Sequence, residues 1–394
     1  MESGMNDVPG AERAAIGFFG LRNAGKSSLV NAVTGQRLSL VSDVKGTTTD
    51  PVRKAMELLP LGPVVVIDTP GLDDEGALGR MRVARALEVA GQVNLAVAVR
   101  DATNPGDSAM DAFLADLTAR GIPYIEVYGK ADLARCSKGD ISVSATTLEN
   151  IAELKELIAK TLKKAESPRR LVGDLLSRGD NVVLVVPIDA AAPKGRIILP
   201  QQQVLRDILD ARASATVCQP EELAPLYSAL PSRPKLVVTD SQAFGQVVSI
   251  LPETQLLTSF SILFARYKGN LGQLVAGART LETLKDGDRI LVSEACTHHR
   301  QCGDIGTEKL PAWIKSFSKA ENLEFSFTSG GGYPQDLRPY RLIVHCGGCM
   351  LNQAAMAGRL AAATAQNVPM TNYGIAIALI HGILSRSLEP FPAL

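Results

Sequence analysis

Two clusters at opposite ends of this 394-residue chain combine residue types and spacings that could do chemistry. Near the carboxyl end, the apolar run RLIV stops at His345-Cys346-Gly347-Gly348-Cys349. Cys296-Thr297-His298 ends a second such run, DRILVSEA, with 46 residues between His298 and His345. Thiolates are soft ligands, imidazole suits several transition metals, and two glycines allow a tight turn around an inorganic core. At the other end GLRNAGKS fits G-x-x-x-x-G-K-S, with Gly20, Gly25, Lys26 and Ser27 in the fixed places. Backbone amides in such a loop, and the helix start beneath it, attract phosphate.

The surrounding pattern is able to position both clusters. From residue 14 to about 165, the apolar runs AAIGFFG, VVVIDTPG, NLAVAVRDA and PYIEVYGKAD alternate with four amphipathic stretches, as in an open α/β sheet of buried parallel strands. The charged, proline-marked segment 163–180 interrupts that pattern. A second α/β series follows, with strands expected at NVVLVVPID, RIILP, TVCQ and PKLVVTD. A third series carries strands at DRILVSEAC, LEFSFTSG and YRLIVHC. No internal repeat is evident. If the strands before Cys296 and Cys346 share one parallel sheet, their carboxyl ends meet on the edge where such sheets place ligands.

Further residues extend the nucleotide site. Ser28 adjoins the phosphate loop, and Asp68 in Asp68-Thr69-Pro70-Gly71 stands where a magnesium shell would be held. The Gly71 amide is placed to sense a γ-phosphate, and Thr47 and Thr48 are switch-loop candidates, with Thr48 preferred for magnesium beside Ser27. This order resembles the translation-factor-like GTPases, especially those of tRNA modification and ribosome assembly. That resemblance implies that Lys130 and Asp132 read guanine, although Gly129 replaces the usual asparagine, and that Ser144 and Ala145 form the last base loop. It also implies that Leu72 replaces a water-orienting glutamine, and that Asn23 supplies an oxygen to a catalytic K+. Lys26, Thr48, Asp68 and Gly71 are then the catalytic set.

Composition narrows the class. Apolar residues are 46% and charged residues 21%, with Lys+Arg and Asp+Glu equal at 41 each. No net basic field draws the molecule to nucleic acid or an anionic membrane. Without a signal-like start or a spanning run (373–384 is too short), the expected location is cytoplasmic. There its six cysteines serve as ligands, redox groups or core residues rather than disulfides. Spacing alone leaves structural zinc, an iron–sulfur cluster and unrelated buried thiols open at the carboxyl-terminal cluster.

A phosphate-loop domain, a middle α/β module, and C-x-H followed by H-C-x-x-C together resemble the FeFe-hydrogenase maturation GTPases, the HydF family. The resemblance spans essentially the whole chain. It implies a P-loop GTPase domain at 1–170, an α/β dimerisation module at 175–260, and an α/β cluster-binding domain at 261–394. Cys296, Cys346 and Cys349 then ligate a 4Fe-4S cluster, with His298 and His345 as candidates for a fourth, labile ligand. His299, Cys302 and Glu294 are alternatives for that place. The implied cofactors are GTP or GDP, Mg2+, K+ and the cluster. The implied role is that of a homodimeric or larger scaffold which receives a diiron unit built with two radical-SAM maturases. It delivers that unit to apo FeFe-hydrogenase. The alternative is a tRNA-modification or ribosome-assembly GTPase with a structural zinc site. Its tRNA-modifying members end in a catalytic-cysteine motif, whereas this chain ends LEPFPAL.

Overall fold

The computed structural model describes residues 13–35, 52–59, 61–72, 76–136, 138–165, 169–188, 197–295, 304–330 and 332–392, without the side chains of 76–80 and 82. They belong to two compact units, Met1–Ser167 and Pro168–Leu394.

Unit one has strands β1 Ala14–Gly20, β2 Val52–Leu58, β3 Gly62–Asp68, β4 Leu95–Asp101, β5 Tyr124–Gly129 and β6 Ile141–Ser142, in the order β2-β3-β1-β4-β5-β6. Every pair is parallel except β2 with β3. The expected buried parallel strands are therefore joined by an antiparallel edge strand. Its mostly exposed sequence, VRKAMEL, has no apolar run to betray it. Strand residues alternate between two cores. Ile16, Phe18, Leu95, Val97 and Val99 face the helices Lys26–Thr34 and Ile151–Ala165. Ala15, Phe19, Ala96 and Ala98 face the helices Gly76–Ala90 and Ser108–Ala119. Both faces are covered, so the sequence reads as continuous apolar runs. β1 lies between β3 and β4, and its carboxyl end opens directly into the phosphate loop, the crevice position of open α/β sheets.

Unit two holds two four-stranded parallel sheets around one shared core. The first contains β7 Asn181–Val185, β8 Ser214–Cys218, β9 Leu236–Thr239 and β10 Leu257–Ser259, ordered β10-β9-β7-β8. The second contains β11 Arg289–Ser293, β12 Glu324–Thr328, β13 Leu342–His345 and β14 Met370–Asn372, ordered β12-β11-β13-β14. Read from opposite edges the two orders are the same, so a topological repeat exists where none is evident in the sequence. It surfaces in one short pair, Leu257-Thr258-Ser259-Phe260 and Met370-Thr371-Asn372-Tyr373. In each, a buried threonine precedes a helix-capping residue: Ser259 accepts from the Ile262 amide and Asn372 from the Ile375 amide. Parallel packing demands apolar strands of suitable volume rather than particular residues, which lets the rest of a repeat drift. The expected strand RIILP is not formed among its described residues. Ile197 and Ile198 have no regular structure, and the helix Leu199–Asp210 begins in its place with Pro200 in the first turn, where its missing N–H costs nothing.

The helix Leu271–Ala278 lies so close to β14 that a Cβ on Gly277 would sit 2.7 Å from the Met370 carbonyl carbon and 3.0 Å from its nitrogen. Backbone cannot swing aside as a side chain does. Gly277→Ala gains about 1 kcal/mol of helix propensity, yet overpacking costs about 3 kcal/mol here. A net loss of about 2 kcal/mol is expected, read from the denaturation midpoint of unit two; an unchanged midpoint would refute the close approach.

Candidate functional sites: a phosphate loop and a cysteine loop

In unit one, Gly25 holds φ 90° and Asn23 φ 62°, the left-handed turns that curl the loop. Gly20 is needed for space: a Cβ there would meet the Val99 carbonyl oxygen. Lys26, 8% exposed, donates from Nζ to the carbonyls of Gly20 (3.0 Å) and Leu21 (2.6 Å). Ser27 Oγ donates to Asp68 Oδ2 at 2.6 Å, which joins two residues 41 positions apart at one carboxylate-bearing strand end. Thr69 Oγ1 donates to the Phe18 carbonyl and pins the segment that leads to Gly71. Leu72 is buried in the core and its amide donates to the Gly20 carbonyl. Asn23 is exposed and Ser28 half-buried at the start of the helix.

The base-loop residues also gather. Ser144, fully buried, donates to Asp132 Oδ1 at 2.6 Å and accepts from the amides of Thr146 and Thr147. Ala145 follows it in the turn. Lys130, at φ 61°, donates to Asp101 Oδ2 at 2.5 Å. Burial opposes ionisation of Asp101, but hydrogen bonds from Lys130 and Thr103 outweigh it and hold the carboxyl below its ordinary range. Asp101 was not in the sequence-derived set. It lies 29 residues from Lys130 and joins it only because β4 and β5 are neighbours, in register at Asp101 and Gly129. A Cβ at Gly129 would stand 3.3 Å from the Ala24 carbonyl oxygen, tight but beside the phosphate loop. Gly129→Asn is expected to tighten GDP binding about fivefold, the value of roughly one added hydrogen bond. Calorimetric titration with GDP checks this, and unchanged or weaker binding would count against it.

In unit two, all four strands of the second sheet end on one row, with Thr328, Ser293, His345 and Asn372 in register. The expected juxtaposition of the strands before Cys296 and Cys346 is therefore present: β11 and β13 are parallel neighbours. The Ala295 amide donates to Cys346 Sγ at 3.1 Å, and the Gly348 amide reaches the same sulfur at 3.4 Å. Gly348 has φ 64°, a conformation that favours glycine. Glu294, 5% exposed, accepts from the Tyr373 hydroxyl at 3.4 Å. His345 is fully buried, with Nδ1 2.7 Å from the Cys346 carbonyl oxygen and Nε2 2.8 Å from Arg359. The carbonyl fixes the proton on Nδ1, so Nε2 accepts from the guanidinium. Burial first, and then the Arg359 charge, lower its pKa to about 3. His345 thus enters a ligand set only by giving up one of these bonds. Thr47, Thr48, Cys296, His298, His299 and Cys302 lie outside the described residues, and among the described ones no group of three metal-ligating side chains forms. The donors present suit a thiolate-held centre, since amide hydrogen bonds to sulfur stabilise its negative charge.

Three family models match successive parts of the chain. A family described as 50S ribosome-binding GTPase matches residues 15–130. The Hydrogen maturase F dimerization domain matches 171–269, and the Hydrogen maturase F tetramerization domain matches 272–390. The chain belongs to the HydF family. Its P-loop GTPase domain is followed by the two domains by which HydF proteins self-associate. A tRNA-modification or ribosome-assembly GTPase does not account for those two matches. Among curated relatives, the tRNA modification GTPase MnmE of Paracidovorax citrulli is 32% identical over 176 residues, 42% of this chain and 36% of the relative. MnmE of Pseudomonas paraeruginosa is 38% identical over 135 residues, 34% of this chain and 28% of the relative. The chain thus spans about a third of the length of these relatives. A solved structure of Era from Aquifex aeolicus is 18% identical with a TM-score of 0.35, covering 60% of this chain and 97% of its own, a likeness too slight to argue from.

Within the HydF frame, Arg359 is the second residue absent from the sequence-derived set. It binds His345, contacts the Gly330 carbonyl and lies over the Tyr333 ring, 4.9 Å from its centroid. No local motif announces it; it emerges only because Arg359, on helix Gln353–Ala365, reaches Ser293 and His345 at the ends of β11 and β13. No helix among the described residues is long and apolar enough to cross a membrane.

Proposed function

We propose that this chain is a GTP-hydrolysing scaffold. It would hold a 4Fe-4S cluster on Cys296, Cys346 and Cys349 and assemble or deliver the diiron precursor of the H-cluster to apo FeFe-hydrogenase. The observation that carries this reading is the Ala295 amide on Cys346 Sγ, which brings the residue before Cys296 to the Cys-x-x-Cys loop. The family assignment supports it. A cluster with three thiolate ligands supplies one iron site open to exchange. Around it, His298, His345, His299, Cys302 and Glu294 are the candidates for the remaining place. The Tyr373 hydroxyl bond would orient the Glu294 carboxylate. The two radical-SAM maturases that build the diiron unit, and a homodimer or larger assembly, complete the proposed setting.

In the GTPase domain, Lys26 would meet the β- and γ-phosphates, Ser27 and Thr48 the magnesium, Asp68 its hydration shell, and the Gly71 amide the γ-phosphate. Lys130, Asp132, Ser144 and Ala145 would recognise guanine. Leu72 offers no group to orient water, so intrinsic turnover is slow, and K+ at Asn23 would offset transition-state charge. Exposure of Asn23 on the loop surface supports this placement. Turnover is expected to be severalfold faster in KCl than in NaCl at equal ionic strength; equal rates would remove the potassium role.

Anaerobic reconstitution with iron and sulfide, followed by metal analysis and EPR, tests the cluster. About four irons per chain and a reduced-cluster signal are expected. A colourless protein with stoichiometric zinc would overturn the reading.

A further inference from the structure

The cysteine loop rests on a buried cation from a distant helix. Lys268, 3% exposed, is the last residue of helix Phe260–Lys268, which begins directly after β10 of the first sheet in unit two. Its Nζ donates to the carbonyls of Leu351 (2.7 Å), Gly348 (3.0 Å) and Cys349 (3.3 Å), and lies over the Phe264 ring, 5.0 Å from the centroid. An ammonium has three donors, and here they meet three carbonyls of one loop. Burying an ammonium is costly unless its donors are hydrogen-bonded, and these three loop carbonyls meet that need. The loop is polarised as a result. Its carbonyls collect on Lys268, while the Gly348 amide points at Cys346 Sγ. A cation on the carbonyl side and amides on the sulfur side both favour negative charge at the thiolates.

We propose that Lys268 is a positioning residue for the metal centre, holding the Gly348, Cys349 and Leu351 carbonyls so that Cys346 and Cys349 face one site, and stabilising its anionic, thiolate-bound state. This rests on the cluster reading above. Because the helix that carries Lys268 starts at the end of β10, the grip on the cysteine loop comes from the sheet of the dimerization domain. The loop conformation is thereby tied to the integrity of a different domain from the one containing the cysteines.

The full-length chain is compared with Lys268→Met, which removes the charge and the donors, and Lys268→Arg, which keeps the charge. Hydrogen exchange of the peptide covering 345–352 is followed without metal. Iron release to a chelator, the EPR spectrum and GTP turnover are followed after reconstitution. In Lys268→Met, iron release is expected to accelerate about tenfold, the scale set by loss of a residue that orients metal ligands. Exchange in 345–352 should rise with it, with GTP turnover unchanged, and Lys268→Arg should restore most of the retention and the wild-type EPR signature. Lys268→Met indistinguishable from wild type in exchange and iron release overturns the proposal while leaving the cluster reading intact. So does general unfolding of unit two in both variants, which would make Lys268 a fold residue only. A wild-type chain that takes up no iron and sulfide overturns both.

Discussion

Lys26→Ala is expected to lower kcat/KM for GTP by about 10²–10³-fold, the range found when one preorganised donor to a developing anion is removed. Lys26 sits at the only point where the loop carbonyls, the Ser27–Asp68 pair and the helix start converge among the described residues. Its ammonium is held by the Gly20 and Leu21 carbonyls and Lys26 is only 8% exposed, so the charge sits at the loop rather than in solvent. Alanine deletes that charge and leaves two inward carbonyls without the lysine. Part of the loss should therefore appear as weaker nucleotide binding and part as slower turnover. Stopped-time phosphate release over a range of GTP separates the two. Iron content after reconstitution should stay at the wild-type level, because the proposed ligands Cys296, Cys346 and Cys349 all belong to unit two. Wild-type turnover in Lys26→Ala would mean that the loop does not hold the reacting phosphates.

How far the sequence reveals the molecule follows from the range of each interaction. The phosphate loop is legible because its glycines, lysine and serine lie within eight residues and each has one job. The parallel neighbours β11 and β13 are legible as well, since two apolar runs ending in soft ligands have only one sheet edge to share. The edge strand β2 is not, because Arg53, Lys54 and Glu57 on an exposed edge look like a loop. β10 and β14, three residues each, fall below the length at which alternation can be read. The Asp101–Lys130 clamp, the Arg359–His345 contact and the Lys268 brace span 29, 14 and about 80 residues, and no local spacing encodes them. His345 shows the same limit. As one letter it is a metal ligand in waiting, and only its burial and two occupied nitrogens show that coordination would have to break existing bonds.

Cys349→Ala should reduce reconstituted iron from about four per chain to less than one, with loss of the cluster's EPR signal. Cys349 is the more discriminating target of the two described loop cysteines. Cys346 Sγ accepts hydrogen bonds from Ala295 and Gly348, so its removal disturbs the loop itself. For Cys349 the loop anchor is the backbone carbonyl that meets Lys268, which alanine retains. The substitution thus withdraws a thiol and leaves the turn in place, separating loss of a ligand from loss of a fold. GTP turnover should match wild type within about twofold, since the cysteine loop and the phosphate loop belong to separate compact units. Cys136→Ser is the control: Cys136 lies in unit one, and neither iron nor turnover should change. Full iron retention in Cys349→Ala would mean that the centre is held by another donor set, and the carrier role would fall with it. Iron loss without loss of turnover, set against turnover loss without iron loss in Lys26→Ala, would show that one chain runs two chemistries independently. Any coupling between them must then pass through conformation and partners rather than through a shared site.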